Sequence, residues 1–226
     1  MKNYAQHVKE KLMESIKSLE SLKDTYVQHA NKDFTRTRKL PFDTMIKLTL
    51  EMEGSTLGHE LRHYFSFDLA MPTVSAFVQR RSLISPDAFL YLFHAFNFAV
   101  PSKNLFEGYR LVACDGTDLN IARNSNDKAN YFQSNPGEKG YNLLHLNALY
   151  DLCSERYLDA LIQPGRKENE FRAIYQMADR FPYLGKTIFI ADRGYESYNV
   201  FAHIERMGIN YLIRVKDKGS NGIAII

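Results

Sequence analysis

Two aspartates stand in matching positions. Asp115 follows the apolar run Leu-Val-Ala-Cys, and Asp192 follows Thr-Ile-Phe-Ile-Ala, so each carboxylate sits at the C-terminal end of a short strand of the buried type. If those strands are neighbours, the two carboxylates converge at one end of a sheet. Held there they would repel one another unless a divalent cation lay between them. Hard cations such as Mg²⁺ take oxygen ligands and are commonly held by one or two carboxylates plus substrate phosphates. Two such ions can activate a water and stabilise the leaving oxygen of a phosphodiester. Asp115-Gly116 taken alone also reads as an ordinary Asp-Gly turn. The recurrence of the pattern at Asp192 keeps the chemical reading level with that one.

Other residues offer less. Asp118 reads as a turn acceptor in Asp-Gly-Thr-Asp rather than as a further metal ligand. Arg193 and Lys216 flank the candidate site, and Arg193 is a candidate contact to DNA phosphates. Arg36, Arg38 and Lys39 form a small basic cluster, and Arg80 and Arg81 share a helix with Ser75 and Gln79. These five residues are the candidate DNA contacts of the N-terminal half. The two helices over 55–65 and 73–82 could pair as a helix-turn-helix whose second helix enters a major groove. A helical bundle with a solvated basic rim accounts for the same residues. His59 and His63 are four apart with no acidic residue to complete a zinc triad, and neither a Ser-His-Asp order nor a glycine-rich phosphate loop is present. Two cysteines, Cys114 and Cys153, exclude a disulfide framework and a cysteine-based zinc site, and suit a reducing cytoplasm.

The elements that must position these residues follow two periods. Apolar residues three and four apart predict helices from Ala5 to Leu22, from Pro41 to Leu50, from Ser55 to Phe65, from Thr73 to Ser82, and from Asp87 to Val100. Ser85-Pro86 opens the last of these and Pro101 ends it. No strand pattern occurs in this half. After Lys103 the pattern changes. Strands are predicted at Tyr109–Cys114, Tyr141–Asp151, Arg156–Gln163, Thr187–Ala191 and Tyr211–Val215, with a further strand somewhere between Leu119 and Gln133. Helices fall at Glu168–Arg180 and Ser197–Met207. Leaving that further strand aside, the order β-β-β-α-β-α-β predicts an α/β mixed sheet with helices on its faces. The domain expectation is residues 1–103 helical, with the basic clusters, and 104–226 the sheet.

Composition sets the outer limits. The 226 residues are 45% hydrophobic and 24% charged, which excludes a disordered or collagen-like chain. A net charge of +3 permits a nucleic-acid partner without requiring one. The N-terminal stretch has no apolar core of a secretory signal, and the longest apolar run, Ala88 to Val100, falls short of the roughly 20 residues a bilayer span requires. No membrane partner is expected.

LVACDGTDLNI, then YNLLHLNALYD and RYLDALIQPG, then ENEF, TIFIADRGYES and NYLIRVKD, resemble the DDE transposases of bacterial insertion sequences, and most of all the insertion-sequence-four group. TRTRKLPFDTMIKLTLEMEG and PTVSAFVQRRSLISPDAF are similar to the N-terminal region of those enzymes. The resemblance runs from about Phe34 to Lys216. It implies a ribonuclease-H-like mixed sheet with flanking helices, preceded by an all-helical region. Asp115 becomes the first catalytic acid and Asp192 the second, both ligands of magnesium (Mg²⁺, with Mn²⁺ as an alternative). It further implies insertion-sequence ends as the DNA partner, a homodimer in the DNA complex, and residence with the nucleoid of a bacterial cytoplasm. The departure is the third acid. The family's Tyr-x2-Arg-x3-Glu-x6-Lys signature is not found before the chain stops at Ile226, and Glu196 and Glu205 sit in a turn and on a solvated helix face. The expectation is therefore a C-terminally truncated transposase with an incomplete catalytic domain, able to bind DNA and weak or inert in cleavage. The alternatives are a DNA-binding remnant without cleavage and a nuclease of similar fold.

Overall fold

The helical period gives helices as far as Ala99 and the alternating period gives strands from Arg110, in a computed structural model that describes residues 2–36, 38–101, 104–183 and 186–216. The chain divides into two compact units, Met1–Pro101 and Ser102–Ile226. Thr37 of the N-terminal motif and Lys103 at the expected seam lie outside the described residues.

The first unit contains α1 (Lys2–Ser21), α2 (Phe42–Glu51), α3 (Leu57–Tyr64), α4 (Val74–Arg81) and α5 (Asp87–Ala99). Each contributes its apolar stripe to one core: Ile16 and Leu19 from α1, Met45 and Ile46 from α2, Leu61 from α3, Phe77 from α4 and Leu92 from α5. Thr73 caps α4 by accepting the Ala76 N–H at 3.1 Å, which satisfies one of the unpaired donors of the first turn. Among the described residues this unit has no strand, only a bridge between Val27 and Ile84. The connection between α3 and α4 runs from Phe65 to Thr73, with Ser66 and Phe67 in left-handed conformation. A helix-turn-helix uses a turn of about 3–4 residues, so this pair does not have that motif's short joint.

The second unit is built on a six-stranded sheet. Its strands are β1 (Arg110–Ile121), β2 (Tyr131–Phe132), β3 (Tyr141–Asp151), β4 (Arg156–Pro164), β5 (Thr187–Ala191) and β6 (Asn210–Ile213). β3 pairs antiparallel with β1 on one side and with β2 and β4 on the other. β5 lies parallel to β1, and β6 parallel to β5. The two crossovers carry α6 (Glu170–Asp179) and α7 (Tyr198–Arg206), whose buried residues Ile174, Met177, Val200 and Ile204 pack on Val112, Cys114, Leu149 and Phe189. Antiparallel strands running into parallel βαβ units is the ribonuclease-H-like arrangement expected from the sequence.

Two expectations change. β1 does not end at Asp115. It continues through Asp115-Gly116-Thr117-Asp118 to Ile121, because β3 supplies a ladder partner at every step, from Val112↔Asp151 to Ile121↔Asn142. Cross-strand pairing overrides the local turn preference of Asp-Gly. The strand expected between Leu119 and Gln133 is consequently split: its first residues belong to β1, and β2 is only Tyr131–Phe132. Two ion pairs hold the frame, the first buried and the second with its arginine exposed. Arg110 of β1 pairs with Asp151, whose carboxylate also accepts the N–H groups of Cys153 (3.0 Å) and Ser154 (3.2 Å) in the β3–β4 turn. Arg180, just past α6, clamps Asp159 of β4 through two bonds of 2.6 and 2.9 Å. Among the described residues no helix is long and apolar enough to cross a membrane.

Candidate metal centre

The last parallel pair of β1 and β5 is Cys114↔Ala191. The next residue on each chain is an aspartate, so Asp115 and Asp192 emerge side by side at one end of the sheet, both exposed to solvent. β5 stops there while β1 runs on. One oxygen of each carboxylate is fixed by backbone: Asp115 Oδ1 accepts the Gly116 N–H at 2.9 Å, and Asp192 Oδ1 accepts the Gly194 N–H at 2.8 Å.

A third carboxylate reaches this strand end from α6. Asn169 caps that helix, accepting the Arg172 N–H at 2.9 Å, and is tied to β4 by Gln163, whose Oε1 accepts the Asn169 N–H at 2.8 Å. Glu170 is the next residue, at the helix start where the peptide dipoles favour a negative charge. A Cβ built on Gly116 would lie 2.7 Å from Glu170 Oε1 and 2.6 Å from His145 Nε2. One built on Gly194 would lie 2.9 Å from Asp192 Oδ1 and 3.7 Å from Glu170 Oε2. Absent side chains at two glycines thus leave the room that these carboxylates occupy. Carboxylate oxygens are the donors a hard divalent cation takes. Beneath the site, burial pushes the Cys114 thiol up to about 12; the neighbouring Tyr195 hydroxyl acts the other way, and the nearby charges of Asp115 and Glu170 add to the rise. Burial likewise raises Tyr195, followed by the charges of Cys114, Glu170 and Asp115. The floor of the site is neutral.

His145, opposite Asp118 in the β1–β3 ladder, joins this group to a second one. Its Nδ1 lies 2.9 Å from Asp118 Oδ1 and 3.4 Å from Glu168 Oε2, and these three residues offer ligand atoms within 4.8 Å of one another. Asp118 is therefore a strand residue bound to a histidine, not the turn acceptor read from the sequence. Of the other two acids, Glu196 accepts the Lys216 N–H at 2.8 Å, and Glu205 accepts the Tyr211 hydroxyl at 3.0 Å. The sequence reading names neither Glu170 nor His145 as a site residue: Glu170 is one acid among several at the start of a helix, and His145 stands on a strand that also carries Asn142, Asn147 and Asp151.

The basic residues separate into kinds. Arg193 is exposed beside Asp192. Arg38, Lys39 and Arg80 border one cleft of about 400 Å³ with Leu40, Pro72 and Gln79. Arg80 is engaged within it: its guanidinium donates to the Leu40 carbonyl at 3.2 and 3.3 Å and lies 3.8 Å from the centre of the Phe34 ring. Burial lowers its pKa, and the charge of Arg38 lowers it further. Lys39 donates to the Ala70 carbonyl. Arg81 stands 5.6 Å from the Phe77 ring, and Arg36 and Arg38 are exposed.

Residues 106–221, just over half of the chain, match the family model of the transposase DDE domain. A solved Mos1 transposase paired-end complex with left transposon end aligns with 79% of this chain at 13% identity and a TM-score of 0.31. The alignment covers 60% of that structure's chain, so the present chain spans well under its full length. No curated protein matches the sequence.

Proposed function

We infer, since this chain belongs to the DDE transposase family, that it binds insertion-sequence ends of the insertion-sequence-four type and carries out hydrolysis and strand transfer at their phosphodiesters. The observation that carries this reading is the parallel register of β1 and β5, in which Cys114↔Ala191 is followed on both strands by an aspartate. Asp115 and Asp192 are the cation ligands, each with one oxygen held by its own following backbone. A divalent cation, Mg²⁺ or Mn²⁺, supplies Lewis acidity toward the phosphodiester when bound. Arg193, adjoining Asp192, contacts a neighbouring phosphate. Arg36, Arg38, Lys39 and Arg81 add backbone contacts that fix DNA without reading its sequence.

The test is conversion of supercoiled plasmid to nicked circle by the full chain with Mg²⁺, Mn²⁺ or chelator, beside DNA binding by fluorescence anisotropy. Because Glu170 supplies a third carboxylate at this strand end in place of the signature glutamate, the expected result is metal-dependent nicking that Asp115→Asn and Asp192→Asn each reduce at least a hundredfold, with DNA affinity within threefold of wild type. Nicking that survives both substitutions would overturn the assignment.

A further inference from the structure

His145 has an unusual environment. The residue is 7% exposed, and its Nε2 has no hydrogen-bond partner among the described residues. Its other nitrogen, Nδ1, lies 2.9 Å from the acceptor-only carboxylate of Asp118. In the neutral imidazole that contact holds the ring proton on Nδ1 and leaves a lone pair on Nε2. Nε2 borders the space over Gly116, where Glu170 Oε1 stands 3.5 Å away. In that form two acceptors face each other. A cation reconciles them: metal bonds of about 2.0–2.2 Å to an imidazole nitrogen and a carboxylate oxygen put the two ligand atoms about 3–3.5 Å apart. A carboxylate on the far nitrogen of a metal-binding histidine is the usual way its ring is oriented.

We propose that Glu170 and His145 Nε2 hold a divalent cation at the strand end shared with Asp115 and Asp192, Glu170 bridging the two positions through its two oxygens. The bridge follows from where those oxygens lie: Oε1 is over Gly116 beside His145, and Oε2 is on the Gly194 side beside Asp192. Asp118 orients the imidazole. The nitrogen ligand makes this position favour Mn²⁺ over Mg²⁺, because imidazole suits transition metals while Mg²⁺ prefers oxygen. This inference rests on the reading of Asp115 and Asp192 as cation ligands and gives that centre its second position.

The experiment measures Mn²⁺ bound per chain by the loss of the free-ion electron paramagnetic resonance signal, in the full chain without DNA. Wild type is expected to bind two ions. His145→Gln is expected to bind one. Glu170→Gln is expected to bind one, at least tenfold more weakly than wild type binds its tighter ion. Glu168→Gln, on the Nδ1 side of the ring, is expected to keep two. Wild-type binding of fewer than two ions, or two ions retained at wild-type affinity by Glu170→Gln, overturns the proposal. So does loss of an ion in Glu168→Gln but not in Glu170→Gln, which would move the cation to the Asp118–Glu168 side. Glu170 is partly exposed and its glutamine is nearly isosteric, so this variant decides the matter even if His145→Gln does not fold. Asp115→Asn separates the two readings: if it loses an ion while Glu170→Gln keeps both, only the present inference fails, and if neither loses one, the Asp115–Asp192 centre fails too.

Discussion

Gly116 is glycine because of its neighbours, not its backbone. Its φ is not in the left-handed region; what excludes a side chain is His145 Nε2 at 2.6 Å and Glu170 Oε1 at 2.7 Å from where a Cβ would sit. Glu170 can swing aside at little cost, but the buried imidazole cannot. Gly116→Ala should therefore lower stability by about 1–3 kcal/mol, the range for overfilled sites, and should weaken Mn²⁺ binding at least fivefold. Urea denaturation and the resonance titration read the two effects separately. Asp115 and Asp192 could be found in the sequence because an apolar run stops at each, and a carboxylate directly after such a run is conspicuous. Glu170 could not. Asn169-Glu170 reads as a helix cap, which it is, and only the packing of α6 onto β4 through Gln163 brings its carboxylate over Gly116.

At the scale of elements, β1 and β3 carry the site, and their pairing is secured at the end away from it. Asp151 is fully buried, paired with Arg110 and accepting from the turn N–H groups of Cys153 and Ser154. Removing it takes away the carboxylate that faces the Arg110 guanidinium, which is 6% exposed and lies 4.2 Å from the Tyr183 ring centre. Breaking such a pair from one side costs about 3–5 kcal/mol. Asp151→Ala should lose that much unfolding free energy in urea. A loss below about 1 kcal/mol would mean that the pair does not hold the hairpin. Strand and helix types were readable from period alone, since 3.6-residue and alternating patterns do not overlap over these lengths. Strand length was not. Asp-Gly-Thr-Asp has turn composition, and its extension to Ile121 depends on a partner strand that begins at Tyr141. The α3–α4 connection was readable in length from the helix bounds, while its path over Phe65–Thr73 is fixed by tertiary contacts.

Over the whole molecule, the period of the sequence changes after Lys103, and the strand and helix order that follows anticipates the sheet, because right-handed crossovers leave few ways to add β5 and β6 beside β1. Charge was less informative at this scale. A net +3 gives little general attraction to DNA, so affinity has to come from local groups, and those groups are not equivalent. Arg80 is bound to the Leu40 carbonyl and stacked on Phe34, which ties the segment before α2 to α4. Arg36, Arg38 and Arg81 are exposed, and Lys39 donates to the exposed Ala70 carbonyl. Neutralising these four to Gln should weaken DNA binding evenly across sequences and flatten the dependence of log affinity on log salt by about 0.9 for each phosphate they neutralise. Arg80→Gln should instead lower the melting temperature of the N-terminal unit while changing the salt slope little. Anisotropy titrations between about 50 and 200 mM salt, the range over which phosphate neutralisation dominates, distinguish the cases. An unchanged slope in the fourfold variant would remove these residues from the DNA interface.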